Sequence, residues 1–184
     1  MLGSTLPLDL LSTPVVGTHL RPGTFQDQLG ERPTLLVFLR HLGCIFCREC
    51  MAELREARAA DPRFPEILYF HLASIEQGDA FFAEIEPEAR AVADPSHHFY
   101  KAFGLTKGKL GQVFGPAVLA CGIKAVRKGH GGGRPIGNPW MMPGFFLVKD
   151  AQVAWSFRPK HIAEHPDYSN ILKESVALEP AHSV

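Results

Sequence analysis

Apolar runs and helix-forming segments alternate along the first half of the chain. Residues 34–39 and 66–73 are short and mostly apolar, which is the pattern of strands buried on both faces of a sheet. Residues 45–60 are rich in helix formers, and residues 76–85 place aromatic and aliphatic side chains on one helical face. A short strand is expected at residues 89–93. This alternation predicts parallel strands connected by helices.

The second half of the chain closes with a hairpin. Residues 96–103 predict a helix with Ser96 at its N-cap and Gly104 just past its end. Residues 142–157 follow the order strand, two-residue turn, strand, which is typical of an antiparallel hairpin, and residues 168–178 predict a closing helix. The expected fold class is therefore α/β, with a sheet that mixes parallel and antiparallel strands.

Prolines and glycines mark the segments between these elements. They interrupt residues 1–33, which we expect to be an extended N-terminal extension packed on the domain, and they fill a loop at residues 129–138. Residues 114–128, just before that loop, predict one helix. At 184 residues the chain is expected to form a single domain over residues 1–184.

Composition and charge narrow the classes of function. The 19 basic residues balance 19 acidic ones, so the net charge gives no electrostatic reason to expect nucleic acid or a membrane as a partner. No stretch reaches the roughly 20 apolar residues that span a bilayer. The N-terminus lacks the basic region of a signal peptide, so a cytoplasmic location is expected.

Three of the four cysteines, Cys44, Cys47 and Cys50, lie close together where the helix of residues 45–60 begins. In a reducing compartment such clustering indicates redox or metal chemistry rather than structural disulfides. A thiol at a helix N-terminus faces the positive end of the helix dipole, and in Cys-x-x-Cys motifs its pKa falls from about 8.5 to about 7. We therefore predict a redox site in which Cys44, first in the motif and exposed, attacks, and Cys47 resolves the product into an intramotif disulfide.

The spacing of the cysteines leaves alternatives open. Cys47 could attack, with Cys44 or Cys50 as the resolving thiol. The repeated x-x spacing also fits an iron–sulfur or zinc site on all three cysteines, although no fourth cysteine–proline pair follows, and we expect no metal. The cysteines could also be small packed hydrophobic residues.

Arg40 and His41 immediately precede the cysteine turn. Either side chain could stabilise a thiolate through its positive charge, and we also expect His41 to be one of the residues that bind the substrate. The alternative is that both are surface charges at the end of a strand. His161 and His165 have helical i, i+4 spacing, but Pro166 indicates a helix end, and we interpret the segment as structural.

The motif and the late hairpin together resemble the thioredoxin-fold superfamily. Residues 38–47 (Phe-Leu-Arg-His-Leu-Gly-Cys-Ile-Phe-Cys) are similar to its strand–Cys-x-x-Cys–helix, and residues 142–153 to its cis-proline and following hairpin. Within the superfamily, residues 39–49 and 161–166 resemble the AhpC/TSA-type peroxiredoxin-like family, which includes prostamide/prostaglandin F synthase-like proteins. The resemblance implies a thioredoxin-like three-layer sandwich, with a mixed central sheet flanked by helices.

This resemblance also implies a chemistry. It implies a thiol oxidoreductase that reduces a peroxide or a disulfide, with a thioredoxin- or glutathione-type thiol as reductant, no bound cofactor, and a homodimer as a candidate assembly. Pro143 would be a cis-proline facing the cysteines, and Met142–Pro143 would bind an incoming extended substrate by backbone pairing. A non-enzymatic binding module that uses the same cleft is the competing interpretation.

The sequence departs from the family pattern at several positions. Typical peroxiredoxins carry Pro-x-x-x-Thr-x-x-Cys, but Val37 and His41 occupy the proline and threonine positions when Cys44 is the cysteine. If Cys47 is the cysteine, Arg40 and Cys44 occupy them. The arginine that would polarise a peroxide is replaced by Pro143. Arg40 could take over this role and hold a peroxide or disulfide oxygen.

Overall fold

A computed structural model of the chain describes residues 3–129 and 131–179. In chain order its elements are α1 (Leu8–Leu11), β1 (Gly17–Thr18), α2 (Phe25–Gln28), β2 (Thr34–Phe38), α3 (Ile45–Ala60), β3 (Glu66–His71), α4 (Ile75–Ile85), β4 (Ala91–Ala93), α5 (His98–Ala102), α6 (Leu110–Phe114), α7 (Pro116–Arg127), β5 (Gly144–Lys149), β6 (Gln152–Phe157) and α8 (Tyr168–Leu178).

The described strands form one six-stranded sheet in the order β1-β4-β3-β2-β5-β6. β2, β3 and β4 run parallel, whereas β5 pairs antiparallel with both β2 and β6, and β1 pairs antiparallel with β4. β2 therefore lies in the middle of the sheet, and each of its residues is buried. The mixed sheet confirms the predicted α/β class.

Alternate residues of β2 point into two separate hydrophobic cores. Leu35 and Val37 pack with α3, α4, α7 and α8 on one face of the sheet. Leu36 and Phe38 pack with α1, α2 and α5 on the other face. Because strand side chains alternate between faces, a fully apolar strand requires a helical layer on both sides. The three-layer arrangement predicted for the chain is confirmed.

Several predicted elements are found with their expected bounds. α3 and α8 coincide with the predicted helices, and β5 and β6 form the predicted hairpin. Its two turn residues, Asp150 and Ala151, both have positive φ, as a tight two-residue turn requires. Gly104 follows α5 with a φ of +65°, which confirms the predicted end of that helix.

Two local predictions need correction. The helix expected at residues 114–128 is found as α7 but begins at Pro116, because Gly115 is extended and separates it from α6, a short helix that was not predicted. Ser96 does not cap α5. The Asp94 carboxylate instead accepts hydrogen bonds from the amides of His98, Phe99 and Tyr100. The capping residue therefore lies two positions before Ser96.

Tyr100 fixes the place where the central strands end. Its buried hydroxyl donates to the carbonyls of Phe70, at 2.8 Å, and Leu39. The chain after Leu39 turns away from the sheet and carries Arg40, His41 and the cysteines toward α3. None of the helices in the described part of the chain is both long and apolar enough to span a bilayer.

Candidate active site

Cys44 is the N-cap residue of α3. Its amide donates to the His41 carbonyl at 3.0 Å, which closes a tight turn between β2 and the helix, and its own carbonyl accepts the first helical hydrogen bonds. The thiol therefore lies at the end of the helix where the amides are unpaired and the dipole is positive. The expectation that Cys44 is exposed was wrong, since only 3% of its surface is accessible.

Arg40 lies directly against the Cys44 thiol. Its Nη1 donates to Cys44 Sγ at 3.3 Å, and its Nη2 donates to the Pro139 carbonyl, which holds the guanidinium in place. Arg40 is buried, so it is not a surface charge at a strand end. A hydrogen bond from Cys47 and the charge of Arg40 together lower the pKa of Cys44 to about 6, against the opposing effect of burial. These contacts therefore favour the thiolate form of Cys44.

The other two cysteines of the cluster remain protonated. The hydrogen bond that Cys47 gives to Cys44, together with burial, raises the pKa of Cys47. Burial raises the pKa of Cys50 to about 12, and its sulfur lies 3.7 Å from the Tyr168 hydroxyl. All three cysteines are free thiols. The electrostatics therefore favour Cys44 over Cys47 as the attacking thiol.

His41 does not contribute a positive charge to the site. Burial, followed by the charge of Arg40, lowers the pKa of His41 to about 4, so the imidazole is neutral near pH 7. The expectation that its charge stabilises a thiolate was wrong. Its Nδ1 has no hydrogen-bond partner among the described residues, and its side chain lines the large cavity described below.

The Met142–Pro143 peptide bond is trans, so the predicted cis-proline was wrong. Pro143 does lie near the cysteines, since it lines a small internal cavity with Cys47 and Cys50. The Met142 amide, however, already donates to the Thr106 carbonyl at 3.1 Å. The backbone that would pair with an extended substrate is thus occupied by a neighbouring segment of the chain.

The glycine-rich loop packs over the cysteine turn. The amide of Gly133 donates to the Gly43 carbonyl at 2.9 Å, and the amide of Leu42 donates to the Ile136 carbonyl at 3.1 Å. His41 and Gly137 form an isolated antiparallel bridge. These contacts cover the turn that precedes Cys44. His130, which belongs to this loop, lies outside the described residues.

An apolar groove of about 900 Å³ opens beside the turn. Arg40, His41 and Phe46 form its inner end, and α6, α7 and the segment around Trp140 form its walls. The side chains of these walls were not predicted as site residues. The available signal was the number of large apolar residues in residues 110–126 that a helix packed on one side cannot bury.

A second, polar cluster joins the middle of α3 to the segment before α8. Glu53 accepts from Lys128 Nζ at 2.9 Å and from the Tyr168 hydroxyl at 3.1 Å, and its other close partner is His165 Nδ1 at 2.8 Å. The hydrogen bond with His165 is the main cause that lowers the pKa of Glu53 to about 2. His161 instead accepts from the Ala163 amide. The described residues contain no group of three or more histidine, cysteine or acidic side chains that could hold a metal ion.

Comparison with known proteins adds a family and a fold. The family model of AhpC/TSA antioxidant enzymes matches residues 65–161, which is more than half of the chain. The thioredoxin-like protein AAED1 of Arabidopsis thaliana chloroplasts is 29% identical over 83 residues. That match covers 45% of this chain and 34% of the relative, so it spans about a third of the relative's length.

Solved structures match along nearly the whole chain. A cysteine mutant of PrxQ from Xylella fastidiosa superposes with a TM-score of 0.69 at 18% identity, covering 96% of each chain. The bacterioferritin comigratory protein of Xanthomonas campestris, whose alkyl peroxide reduction activity has been studied structurally, gives a TM-score of 0.66 at 15% identity, covering 95% of this chain and 96% of that one. These similarities show that the fold is that of thioredoxin-like peroxiredoxins.

Proposed function

This chain belongs to the AhpC/TSA antioxidant enzyme family, and from that premise we propose that it reduces peroxides through Cys44, with Cys47 as the resolving thiol. The observation that carries the proposal is the contact between Arg40 and the Cys44 sulfur at the N-terminus of α3. A guanidinium and a helix N-terminus both stabilise a thiolate, and the thiolate is the nucleophilic form of cysteine. Arg40 thereby supplies the positive charge that the family places elsewhere.

The first step consumes the peroxide. The Cys44 thiolate attacks one peroxide oxygen, so that an S–O bond forms and the O–O bond breaks. The departing alkoxide takes up a proton and leaves as an alcohol, or as water when the substrate is hydrogen peroxide. Cys44 is oxidised to a sulfenic acid. During this step Arg40, fixed by its bond to the Pro139 carbonyl, would stabilise the charge that develops on the oxygens.

The second step forms the disulfide. The Cys47 sulfur attacks the Cys44 sulfur, the S–O bond breaks, and the hydroxyl leaves with the Cys47 proton as water. An external thiol of the thioredoxin or glutathione type then reduces the Cys44–Cys47 disulfide and regenerates both thiols. If the substrate is a disulfide instead, attack by Cys44 gives a mixed disulfide, which Cys47 resolves in the same way.

The surroundings of Cys44 favour a compact organic peroxide over an extended disulfide. The Met142 amide that would pair with an extended peptide is bonded to Thr106. The groove beside Arg40 is instead lined mainly by aliphatic and aromatic side chains, which suit an apolar organic group. The alkyl peroxide reduction activity studied in the Xanthomonas campestris protein is consistent with this class of substrate.

Mass spectrometry of the reduced protein treated with one equivalent of peroxide tests the proposal. The wild type should lose two hydrogen atoms as Cys44 and Cys47 join. Cys44→Ser should remain unmodified, and Cys47→Ser should accumulate a sulfenic acid that dimedone traps. Cys50→Ser is the matched control on the same helix, and it should form the disulfide as the wild type does. We expect cumene hydroperoxide to react faster than hydrogen peroxide because the groove is apolar.

Two results would contradict the proposal. A disulfide that forms equally well in Cys47→Ser, through Cys50, would assign the resolving role to Cys50. A Cys44 thiol that reacts with iodoacetamide but with no peroxide and no disulfide would indicate a binding module rather than an enzyme.

A further inference from the structure

The charges of this chain are unevenly distributed along its length. All 19 acidic residues lie at or before Asp94 or at or after Asp150. Residues 95–149 contain eight of the 19 basic residues and no acidic one. The net charge of zero is therefore the sum of a strongly positive segment, residues 95–149, and an excess of acidic residues in the rest of the chain. Such asymmetry indicates a surface that attracts anions.

The same segment carries most of the large apolar side chains that are exposed. Six of the nine such residues in the described part of the chain lie between residues 110 and 140: Leu110, Phe114, Leu119, Ile123, Val126 and Trp140. Phe114 and Leu119 are each 69% exposed, and the rings of Phe114 and Trp140 meet edge to face at 5.6 Å. We call these six residues the apolar face. A contiguous apolar surface next to a groove marks an interaction site.

The apolar face follows one side of α7. Leu119, Ile123 and Val126 lie at i, i+4 and i+7, so they share one stripe of the helix. Val118 and Ala125, on the other side, are buried against the core. The stripe also forms part of the rim of the groove that leads to Arg40.

Uncompensated positive charges accompany this stripe. Within residues 107–134, five exposed basic residues have no ion pair in the described part of the chain: Lys107, Lys109, Lys124, Arg127 and Arg134. Arg127 follows Val126 directly and lines the groove. By contrast, Lys128 is paired with Glu49 and Glu53. An exposed apolar stripe flanked by unpaired basic side chains is typical of a helix that lies in the interface of a lipid bilayer.

We propose that α6, α7 and Trp140 form a docking surface for an anionic lipid bilayer. The apolar face would enter the boundary between headgroups and acyl chains, with Trp140 at the level of the headgroups, where amphipathic rings prefer to lie. The five unpaired basic residues would contact anionic headgroups. In this orientation the mouth of the groove opens toward the membrane, so that an apolar molecule dissolved there can reach Arg40, which contacts Cys44.

A second copy of the chain is a poorer occupant of this surface. A twofold-symmetric contact places the same patch on both partners, so that the unpaired cations of one copy would face those of the other. No acidic residue lies in residues 95–149 to compensate for them. An anionic bilayer satisfies both the apolar and the positive part of the surface. The proposal is independent of the thiol chemistry, because docking requires none of the cysteines.

Co-sedimentation of the full chain with lipid vesicles tests the proposal. We expect binding to vesicles of phosphatidylcholine mixed with phosphatidylglycerol, weak binding to phosphatidylcholine alone, and release of the protein as salt is raised. The double variant Lys124→Gln/Arg127→Gln should bind about tenfold more weakly, since each basic residue near an anionic surface contributes substantially. Lys173→Gln, an exposed lysine of α8, is the matched control and should bind as the wild type does.

A second pair of variants tests the apolar contribution. Leu119→Gln/Ile123→Gln should also lower vesicle binding by about tenfold, since less apolar surface enters the lipid. Leu8→Gln, at an exposed leucine far away in sequence, should leave it unchanged. In a Trp155→Phe background, the emission of Trp140 should shift to shorter wavelength when anionic vesicles are added. The residues replaced by glutamine are exposed, whereas Trp155 is partly buried. An unchanged melting temperature would confirm that each variant is folded.

Three outcomes would overturn the proposal. They are equal binding to neutral and anionic vesicles, no binding of the wild type to either, and a dimer in solution that Leu119→Gln/Ile123→Gln dissociates. The last outcome would show that a second copy covers the apolar face. Because vesicle binding is measured without peroxide, its failure leaves the proposed reduction of peroxides untouched, and the reverse also holds.

Discussion

The acidity of Cys44 depends on the hydrogen bond from Cys47 and on the charge of Arg40, whose side chain is held from two directions. Arg40 reaches the sulfur with Nη1 and the Pro139 carbonyl with Nη2. Because the guanidinium is buried, its interaction with the sulfur is only weakly screened by water. The same burial disfavours the thiolate by desolvation, so without Arg40 the two effects would no longer balance.

Replacing Arg40 should therefore change the titration of Cys44. In Arg40→Leu we expect the pKa of Cys44 to rise by about one pH unit or more, since a cation in contact shifts a pKa by about that much. At pH 6 the rate of alkylation by iodoacetamide should then fall about fivefold, while at pH 9, where the thiol ionises in both proteins, the rates should converge. The pH dependence of alkylation, followed by mass, measures both quantities.

Arg48→Leu is the control for this experiment. Arg48 also lies on α3, but it pairs with Glu84 and not with Cys44, so its loss should leave the titration unchanged. Arg40→Lys should restore part of the low pKa, because the charge remains but the two-pronged geometry is lost. If Arg40→Leu lowered the rate of alkylation equally at pH 6 and pH 9, the substitution would hinder access of iodoacetamide to Cys44 and would not change the ionisation of the thiol.

Some site residues were predictable because the chain itself brings them together. A strand that ends at Phe38 and a helix that begins at Ile45 leave only a short turn, so Arg40 cannot lie far from Cys44. The charge of His41 was not predictable, since it depends on burial by residues distant in sequence. The same is true of Met142, whose amide is occupied by Thr106 in a pairing that the sequence pattern does not indicate.

At the scale of elements, we expect the glycine-rich loop to limit access to the Cys44 thiol. Residues 131–137 contribute few side chains and cover the cysteine turn mainly through backbone contacts, such as that between Gly133 and Gly43. Gly43 permits this close approach, because a Cβ there would overlap the Arg134 carbonyl. The fit between loop and turn is therefore set by the absence of one methyl group.

Gly43→Ala should push the loop away from the turn. We expect faster alkylation of Cys44, by a few-fold at a pH where the thiol is fully ionised, together with a loss of stability of about 1–2 kcal/mol from the forced contact. Gly132→Ala is the matched control in the loop, since a Cβ at Gly132 would lie at an ordinary distance of 3.9 Å from the nearest atom. Unchanged alkylation of Gly43→Ala would show that the loop does not limit access.

The ends of helices were predicted correctly where the neighbouring residues define them. They were predicted less well where a group further away in the sequence forms the cap. α3 and α8 have clear ends, given by Cys44 and Asp61 in one case and by Asp167 in the other. The cap of α5 comes from Asp94, in the loop after β4, and a nearer serine hid it. Gly115-Pro116 marks the true start of α7, but the predicted helix began one residue earlier, at Phe114, and the short α6 before it was not predicted.

For the whole molecule, the informative quantity is the arrangement of side chains that lie far apart in sequence. The groove is formed by the turn after β2, by helices α6 and α7, and by two further segments, one around Pro139 and one around Ile162. No single stretch of the sequence shows the pattern of a pocket. The overall net charge was equally uninformative, because the cations of residues 95–149 are balanced only by acidic residues outside that segment.

The carboxylate of Glu53 connects three such distant parts. Its partners come from the end of α7, from the segment before α8 and from α8 itself: Lys128, His165 and Tyr168. The hydrogen bond with His165 is the largest of the causes that hold the pKa of Glu53 at about 2, below its usual value of 4.5. A group whose pKa is lower in the folded than in the unfolded state stabilises the fold above the unfolded pKa. That stabilisation is lost as the pH falls toward the folded value.

Glu53 should therefore contribute to stability at neutral pH and lose that contribution between about pH 5 and pH 2. We expect Glu53→Gln to lower the free energy of unfolding at pH 7 by about 1 kcal/mol, a figure reduced for the partial exposure of the carboxylate. The difference from the wild type should shrink toward zero as the pH approaches 2, because protonated glutamic acid is as neutral as glutamine.

Urea unfolding at a series of pH values measures this difference. Glu56→Gln, at an exposed position of α3 without an ion pair in the described part of the chain, should show almost none at any pH. If the loss of unfolding free energy in Glu53→Gln stayed constant with pH, it would result from altered packing and not from the lost charge. The attachment of α7 and α8 to α3 would then not depend on the charge of Glu53.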